Sequence, residues 1–596
     1  MPTYNAPVRD MEFILFDVLN MDSYQDVEGY GEADRSTVAA ILEECAKLSG
    51  EVIQPLNLPG DEEGCHLKDG KVTTPAGFKE AYQAFMEGGW SALTGDPEYD
   101  GQGLPYVLGI AMNEMICSAN FSFSMYPGLT HGAIDALEQH GSKELKDRYL
   151  PKLISGEWTG TMNLTEAQAG TDLGILRTKA VPQADGTYLI TGSKIFISAG
   201  DHDLTENIIH LVLARMPDAP PGTKGISLFV VPKMLVNDDG SLGAQNKVEC
   251  GRLEEKLGIH GNSTCVMNFE DAVGYMVGEP NKGLMAMFTM MNAARLGVGM
   301  QGLAIAQVAY ENAVAYSKER LQMRSLTGPK APDKPADPII VHPDIRKMLL
   351  TARSFCEAAR GIAYWAGMLV DMARKHPDQK ERYKADDLLG LLTPVIKAYF
   401  TDMGFMTANL SLQCFGGHGY VREWGMEQFI RDVRVAQIYE GANGIQALDL
   451  VGRKMTANKG RAVQVFFGEI GSYCEQQMAD PEMAPFVQPV MGALEHMFEA
   501  SGWMVDNGMK NPEHAGAAAT DMLYIMALVT MGYMWVRIVK AAKEKIASGE
   551  GDTQFYQDKL VLAKFFFERM MPDSAAHLAK LKSGADTLMA LSEESF

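Results

Sequence analysis

The sequence predicts an α+β protein in which helical domains lie on both sides of a middle antiparallel β domain. The chain has 596 residues, more than one hydrophobic core supports, so several domains are expected. Apolar residues recur at helical spacing over 36–158 and again after 281, whereas over 159–280 β-branched and aromatic residues alternate with period two. These observations predict an N-terminal helical domain, a middle β domain, a C-terminal helical bundle and an additional C-terminal helical domain.

The same changes of pattern set the domain boundaries. We predict an N-terminal extension (1–35), an N-terminal helical domain (36–158), a middle β domain (159–280), a C-terminal helical bundle (281–460) and an additional helical domain (461–596).

Local sequence signals predict the helices, strands and loops of each domain. Ser36 stands where a serine would cap a helix. Turn signals such as Ala184–Gly186 separate the strands, and the proline-rich loop 327–338 cannot be helical. The predicted helices are 13–19, 36–48, 105–117, 143–154, 285–320, 342–375, 386–412, 466–478, 489–508, 521–548 and 553–571, and the predicted strands begin at residues 188, 194, 208 and 226.

Composition narrows the class of protein. The formal net charge of −23 argues against a nucleic-acid surface. The eight cysteines form no CxxC pair and no zinc-ligand spacing, so we expect no metal site and reduced thiols in the cytoplasm. The N-terminus lacks the profile of a signal peptide. The apolar run 522–536 is too short to span a bilayer, so it predicts a buried helix and no membrane span.

Glu440 is the first candidate for chemistry. We predict a helical run over 431–439 and expect the chain to break at Gly441 and Gly444. A carboxylate held there can reach into a cleft, where burial would raise its pKa and make it a usable base near neutral pH. A solvated or helix-capping glutamate would fit the same position.

Three further segments are rich in glycine, hydroxyl and aromatic residues. The segment 162–172 offers hydroxyls and free amides that can hold an anionic ring edge or a pyrophosphate. In 192–200, Phe196 and Ser198 are expected on one face of a strand, which suits a stacked heteroaromatic cofactor, although core packing explains Phe196 equally well. In 413–420, a helix is expected to end in glycines that allow close approach of a backbone or phosphate.

Taken in order and spacing, these segments and others resemble the acyl-CoA dehydrogenase family. The resemblance covers roughly residues 40–455. The matching pieces are 98–104, 146–157, 165–172, 255–261, 316–322, 413–420 and 439–443.

The resemblance implies FAD-dependent α,β-dehydrogenation of an acyl-CoA thioester. In the family a carboxylate removes the α proton while hydride passes from Cβ to flavin N5. The family's base matches Glu440. Some members carry the base just before a helix arginine that matches Arg295, but the residue here is Ala294, so Glu440 is the only candidate.

Cofactor and substrate positions are carried over in the same way. Thr165 matches a threonine at the flavin ring, Ser198 a hydroxyl near N5, and Phe196 a tryptophan that packs on the flavin. Thr171 matches a hydroxyl near the pyrophosphate and CoA. The implied cofactor-binding residues are Met162, Leu164, Thr165, Gly170, Thr171, Phe196, Ser198, Arg320, Gln413 and Gly417. The implied substrate-binding residues are Thr171, Arg295, Tyr439 and Gly441.

Arg320, Gln413 and Gly417 match family positions that hold the adenine-diphosphate end of FAD from a neighbouring subunit, which implies a homo-oligomer. Some positions depart from the family pattern: Ala167 replaces a common proline, Gln168 a glycine, Ala442 a threonine and Gly444 a polar residue.

The segments 4–16 and 439–454 resemble a long bacterial branch of the family, and the chain continues for about 140 residues beyond the part that matches the classical members. That branch implies 3-(methylthio)propanoyl-CoA as substrate, in dimethylsulfoniopropionate degradation, with electron-transfer flavoprotein as acceptor. A short- or medium-chain acyl-CoA dehydrogenase, a flavin-binding DNA-associated alkylation-response relative and an oxygen-using oxidase are the alternatives. The additional domain is expected to pack where a second subunit pair sits in tetrameric relatives, which favours a dimer.

Overall fold

The computed structural model describes residues 2–596, and along the chain helices predominate before and after the strands of one large sheet. The helices before the sheet are α1 (Val8–Glu12), α2 (Arg35–Lys47), α3 (Asn57–Glu63), α4 (Phe78–Glu87), α5 (Tyr106–Ala119), α6 (Phe121–His140) and α7 (Lys143–Ile154). The strands are β1 (His66–Lys68), β2 (Lys71–Thr73), β3 (Trp158–Asn163), β4 (Lys179–Pro182), β5 (Tyr188–Ser198), β6 (Asn207–Arg215), β7 (Ile226–Pro232), β8 (Met234–Val236), β9 (Leu242–Gln245), β10 (Val248–Leu253) and β11 (Thr264–Val277).

Both long and short helices follow the sheet. They are α8 (Gly283–Glu319), α9 (Pro343–Lys375), α10 (Gln379–Phe415), α11 (Gly417–Tyr420), α12 (Met426–Arg434), α13 (Asn443–Asp449), α14 (Arg461–Gln477), α15 (Ala484–Gly508), α16 (Pro512–Ser548), α17 (Thr553–Arg569) and α18 (Asp573–Lys582). The predicted order of helices, sheet, bundle and additional helices is confirmed.

Two compact units make up the chain, and neither is continuous in sequence. The first contains Met1–Glu43, Pro105–Glu114 and Val298–Phe596, and the second contains Glu44–Leu104 and Met115–Gly297. The N-terminal extension and the additional C-terminal helices therefore belong to the same unit.

The large sheet of the second unit is mixed rather than wholly antiparallel. Its strand order is β10-β11-β5-β4-β6-β3, with β7 paired to both β11 and β6. Strand β3 runs parallel to β6, with Trp158 opposite Asn207, and β4 also meets β6 in parallel. Period-two alternation is common to both strand directions, so the sequence pattern could not reveal these parallel pairs.

Both faces of the middle strands of this sheet are buried. Every residue of β7 and all but the last of β6 are buried, as expected for strands packed on both sides. One core cluster joins α6 and α7 to the sheet through residues such as Leu150 and Leu211. A second cluster, including Ile190 and Phe269, fills the opposite side.

Close helix crossings organise the first unit. A Cβ on Gly404 would lie 2.5 Å from the carbonyl oxygen of Gly302, so glycine is required where α10 crosses α8. A Cβ on Gly361 would lie 2.7 Å from the Met534 side chain, where α9 meets α16. Among the described residues α16 alone is long and apolar enough to cross a membrane, but 89% of its most apolar window is buried inside the protein.

A buried ion network joins three distant parts of the first unit. Asp10 of the N-terminal extension pairs with Arg360 on α9 and with Lys559 on α17. Arg360 also pairs with Glu114 at 2.7 Å, and Lys559 pairs with Glu357 at 2.8 Å. Each buried charge has an opposite charge in contact, which is the condition for keeping charges inside a protein.

Candidate active site

Glu440 lies in a tight turn between two short helices of the first unit. Helix α12 ends at Arg434, a single 3₁₀ turn covers Val435–Gln437, and α13 begins at Asn443. Glu440 has a φ of +55° and Gly441 a φ of +86°. A left-handed conformation costs a non-glycine residue roughly 1–2 kcal/mol, and such conformations are concentrated at functional sites.

Two details of the predicted turn were wrong. The α-helix ends at Arg434, before the expected Tyr439, and Gly444 lies inside α13 rather than at a break. The reversal needs only Glu440 and Gly441 in the left-handed region. Asn443 can therefore open the next helix, and Gly444 is one of its first residues.

Two side chains of the turn and of α13 hold this part of the chain. The side-chain amide of Gln446 donates to the carbonyl of Glu440 at 3.0 Å and to that of Gly441 at 3.1 Å. The hydroxyl of Tyr439 donates to the side-chain oxygen of Gln301 on α8. The strained residue is therefore fixed from both sides.

Polar side chains of α10 anchor the start of α13. Lys397, which is fully buried, donates to the side-chain oxygen of Asn443 at 2.9 Å. The Asn443 amide in turn donates to Asp402 at 2.8 Å. Asp402 also accepts from Gln437 at 2.6 Å, so one carboxylate contacts the chain before and after Glu440.

In the second unit, the predicted flavin loop leaves β3 and is pinned to β5 by a buried ion pair. Lys194 donates to Glu166 at 2.9 Å and to the carbonyl of Leu164 at 2.9 Å. Glu166 also accepts from the hydroxyl of Thr178 at 2.6 Å and the amide of Arg177 at 2.7 Å. The amide of Ile195 donates to the carbonyl of Thr165 at 2.9 Å.

The electrostatics of this pair favour the ionised carboxylate. Burial by itself raises the pKa of Glu166, but the charge of Lys194 and the Thr178 hydrogen bond outweigh it and hold that pKa at about 2. Burial lowers the pKa of Lys194 to about 8, against the opposing effect of Glu166. Both groups are therefore charged at neutral pH, and the pair fixes the loop that carries Leu164 and Thr165.

Phe196 lies in a β-bulge of β5. Cys265 of β11 pairs with Ile197 of β5, and Met267 pairs with Lys194. One residue of β11 therefore faces two residues of β5 at this point. Phe196 has a φ of +58° and is 61% exposed, whereas its neighbour Ile197 is buried. The bulge turns the phenyl ring outward, and Ser198 is only half-buried two residues later. Core packing therefore does not explain Phe196.

The donors in this loop and strand fit FAD. The side chains of Thr165 and Ser198 are partly accessible, and Gly170 and Thr171 are exposed. Within residues 2–596 the backbone amides of Gly170 and Thr171 donate to no protein acceptor. Open amides and hydroxyls suit a ring edge or a pyrophosphate, and an outward phenyl ring suits a flat heteroaromatic group.

Three predicted positions of the second unit remain, two at the end of β3 and one on α8. Met162 is the partly buried penultimate residue of β3, and Leu164 is buried just after it. Arg295 is 6% exposed on α8, next to Ala294.

The predicted adenine-diphosphate site belongs to the first unit. Helix α10 ends at Phe415, and Gly416 follows with a φ of +56°. The rings of Phe415 and Tyr316 stack with centroids 4.1 Å apart, and the Tyr316 hydroxyl lies 2.9 Å from Nδ1 of His418. This aromatic cluster fastens the glycine loop to the end of α8.

The three residues assigned to that site are open to solvent. Arg320, Gln413 and Gly417 are all exposed. A Cβ on Gly417 would meet no atom within 4 Å. The surface is therefore accessible to a ligand or to a second subunit.

The structure brings the predicted residues together in three groups. Tyr439, Glu440 and Gly441 share the strained turn. Arg320, Gln413 and Gly417 lie within four residues, in sequence, of Tyr316, Phe415 or His418 of the aromatic cluster. The loop and bulge of the second unit carry Met162, Leu164, Thr165, Gly170, Thr171, Phe196 and Ser198, and Arg295 lies on α8.

Sequence reasoning missed the residues that hold these groups in place. Glu166, Lys194, Asp402, Asn443 and Gln446 make the supporting contacts. Only Lys194 carried a local signal, since a lysine on the inward-facing side of a strand is costly unless it is paired.

Comparison with known proteins identifies the family. Four family models match successive parts of the chain: the acyl-CoA dehydrogenase N-terminal domain (66–157), the middle domain (161–272), the C-terminal domain (281–455) and an acetyl-CoA dehydrogenase C-terminal-like domain (466–592).

Similar proteins of nearly the same length carry related names. The chain is 41% identical over 599 residues to 3-methylmercaptopropionyl-CoA dehydrogenase of Ruegeria pomeroyi, covering 99% of this chain and 100% of that one. It is 35% identical over 614 residues to a butyryl-CoA dehydrogenase of Syntrophomonas wolfei, covering 100% and 99%. An acyl-CoA dehydrogenase of Bacillus anthracis complexed with FAD has the same fold, with a TM-score of 0.74, 22% identity and coverage of 92% and 88%. The chain is a member of the FAD-dependent acyl-CoA dehydrogenase family, oxidoreductases that act on acyl-CoA thioesters.

Proposed function

We propose that this enzyme dehydrogenates a short acyl-CoA between Cα and Cβ, with Glu440 as the base that removes the α proton. The observation that carries the proposal is the strained turn, because a glutamate with a φ of +55° is held there by Gln446 and by the anchored start of α13. An α proton of a thioester is weakly acidic, so the carboxylate must be oriented and the thioester carbonyl hydrogen-bonded during removal.

The cofactor supplies the redox step. When bound, FAD offers an acceptor at N5 for the hydride that leaves Cβ. Thr165, Ser198 and Phe196 would hold the ring system, and Gly170 and Thr171 would face the pyrophosphate and CoA. Arg320, Gln413 and Gly417 would hold the adenine-diphosphate end of a FAD from the neighbouring subunit, and Arg295, Tyr439 and Gly441 would border the substrate.

Our proposed substrate is 3-(methylthio)propanoyl-CoA, converted to 3-(methylthio)acryloyl-CoA in the degradation of dimethylsulfoniopropionate. The 41% identity to the Ruegeria pomeroyi protein over its whole length supports this choice. The 35% identity to a butyryl-CoA dehydrogenase supports a short straight-chain acyl-CoA as the second candidate. The 3-(methylthio)propanoyl chain has sulfur where pentanoyl has a CH₂ and is one atom longer than butanoyl. One such chain atom alters binding in an apolar pocket by only about 1–3 kcal/mol, so activity must decide.

A substrate panel tests the choice. The purified holoenzyme is assayed with 3-(methylthio)propanoyl-CoA and with butanoyl- to octanoyl-CoA, using electron-transfer flavoprotein or an artificial acceptor. We expect the highest kcat/KM for the sulfur substrate. A kcat/KM for butanoyl-CoA that is tenfold higher would favour the second candidate, and equal rates in air without a mediator would favour an oxidase.

We further propose a cytoplasmic homodimer that passes electrons to electron-transfer flavoprotein. The exposed surface at Arg320, Gln413 and Gly417 supports a shared cofactor site between subunits. The eight free cysteines are compatible with a reducing compartment.

A further inference from the structure

Asp402 on α10 connects the turn of Glu440 to the additional C-terminal helices. Its Oδ1 accepts from Gln437 at 2.6 Å and from Asn443 at 2.8 Å. Its Oδ2 accepts from the hydroxyl of Tyr524 on α16 at 2.6 Å. One carboxylate thus serves three donors from three separate segments.

The spacing of two of these donors places them on either side of the base. Gln437 lies three residues before Glu440, and Asn443 lies three residues after it. Both side-chain amides converge on the same oxygen of Asp402. Any rotation of that carboxylate would therefore disturb the chain at both ends of the strained turn.

Tyr524 keeps the carboxylate from rotating because its own ring is packed. Its ring meets Tyr399 of α10 edge-on with centroids 5.3 Å apart, and it lies 4.9 Å from the ring of His577 on α18. Nδ1 of His577 lies 2.7 Å from Oδ1 of Asp521, which fixes the imidazole in turn. The tyrosine hydroxyl has one defined direction, towards Asp402.

The hydroxyl is a donor throughout the working pH range. Burial raises the pKa of Tyr524 well above its ordinary value, and the nearby charge of Asp402 raises it further. A short hydrogen bond from a neutral hydroxyl to a carboxylate belongs to the stronger class in proteins.

We propose that Tyr524 is a positioning residue for the catalytic base, acting through Asp402, so that the additional C-terminal domain completes the active site. This inference rests on the proposed role of Glu440. A domain that served only for packing would need no polar contact with the anchor of this turn.

The test replaces Tyr524 with phenylalanine, which removes the hydroxyl and leaves the ring packing. Because small displacements of a catalytic group lower the rate strongly, we expect kcat to fall by about tenfold or more while KM changes by less than about twofold. Hydrogen exchange of the apoprotein supplies a readout independent of turnover. We expect amides of 438–446, including Ile445 and Gln446, which donate to Ala442, to exchange several times faster.

Tyr533→Phe is the matched control. Tyr533 lies on the same helix, and its hydroxyl donates to the carboxylate of Glu469 at 3.0 Å. The control loses the same kind of hydrogen bond away from the turn, so its kcat and its exchange at 438–446 should match the wild type. Equal losses in both variants, or no loss in Tyr524→Phe, would overturn the inference.

Asp402→Asn gives a second route if Tyr524→Phe is unstable. We expect it to lower kcat and speed exchange at 438–446 in the same way, and the double variant should lose less than the product of the two single effects, because both changes disrupt one contact. Fully multiplicative effects would contradict the proposed coupling. Turnover by Glu440→Gln would refute the base assignment alone, whereas exchange at 438–446 reports on Tyr524 independently.

Discussion

At the scale of single residues, strain and support coincide at Glu440. A glutamate in the left-handed region is unfavourable on its own, and the surrounding contacts must hold it there. Gln446 is one of these contacts, because its side-chain amide donates to the carbonyls of both Glu440 and Gly441. The sequence identified Glu440 as the candidate base, but it could not identify the partners that fix the turn, since several of them come from α10 and α8.

Glu311 on α8 provides a residue-scale prediction about pH. Burial raises the pKa of this carboxyl to about 7, although a hydrogen bond from Gln307 opposes the shift. A raised folded-state pKa stabilises the protein below the unfolded value of 4.5, and this contribution is lost as the pH rises through 7. Glu311→Gln should therefore melt at nearly the wild-type temperature at pH 4 but at a higher temperature at pH 8.5, by the equivalent of about 1–3 kcal/mol.

The control for this prediction is Glu319→Gln, at an exposed position of the same helix. It should change the melting temperature equally at both pH values. A pH-independent difference between Glu311→Gln and the wild type would show that Glu311 does not titrate in this range.

At the scale of elements, the sequence predicted where helices and loops occur more accurately than the residues at which helices begin and end. Helix 143–154 was predicted with the bounds that α7 has, and the loop 327–338 is non-helical. The helix predicted to begin with Ser36 starts at Arg35, because Asp34 accepts from the amide of Thr37 at 2.8 Å and takes the capping role. Adjacent polar residues compete for a cap, and only the local geometry decides between them.

The bulge, and the ion pair that holds the predicted flavin loop, escaped prediction for a related reason. Strict alternation places Phe196 and Ser198 on one face, but the extra residue at the bulge changes which positions face inward. Lys194 then pairs with Glu166, 28 residues earlier in the chain. Such a contact depends on strand register, which the order of residues alone does not determine.

Lys194→Met should loosen the flavin loop. It leaves Glu166 buried without its counter-charge, at a cost of about 3–5 kcal/mol. We expect a lower melting temperature and faster FAD release, measured by the recovery of flavin fluorescence. The double variant with Glu166→Gln should regain part of the stability.

Lys179→Met is the control, since Lys179 is exposed on the neighbouring strand β4. If Lys194→Met released FAD as slowly as this control, the buried pair would not be what holds the loop.

At the scale of the whole molecule, the N-terminal extension and the additional C-terminal helices belong to the same unit as Glu440. The extension reaches α9 and α17 through Asp10, and α16 reaches α10 through Tyr524. The sequence predicted the additional helices and a packing role for them, but it did not predict their contact with the turn of Glu440. They reach the turn of Glu440 through the contact of Tyr524 with Asp402, two residues that are 122 positions apart. No local sequence pattern reveals such a contact.

The proposed shared cofactor site predicts a dimer. Sedimentation of the holoenzyme should give twice the chain mass of 65.2 kDa with one FAD per chain. A monomer that retains stoichiometric FAD would contradict the assignment of Arg320, Gln413 and Gly417, and a tetramer would contradict the role expected for the additional helices.

The most direct test of the account is the rate of flavin reduction in Glu440→Gln. Glutamine keeps the size of the side chain and removes the base, so FAD should bind as in the wild type. Mixed anaerobically with 3-(methylthio)propanoyl-CoA or butanoyl-CoA, the variant should bleach its flavin absorbance about 10³-fold or more slowly than the wild type, whereas Glu423→Gln, at an exposed position, should bleach normally. Bleaching by Glu440→Gln within twofold of the wild-type rate would contradict the role assigned to Glu440.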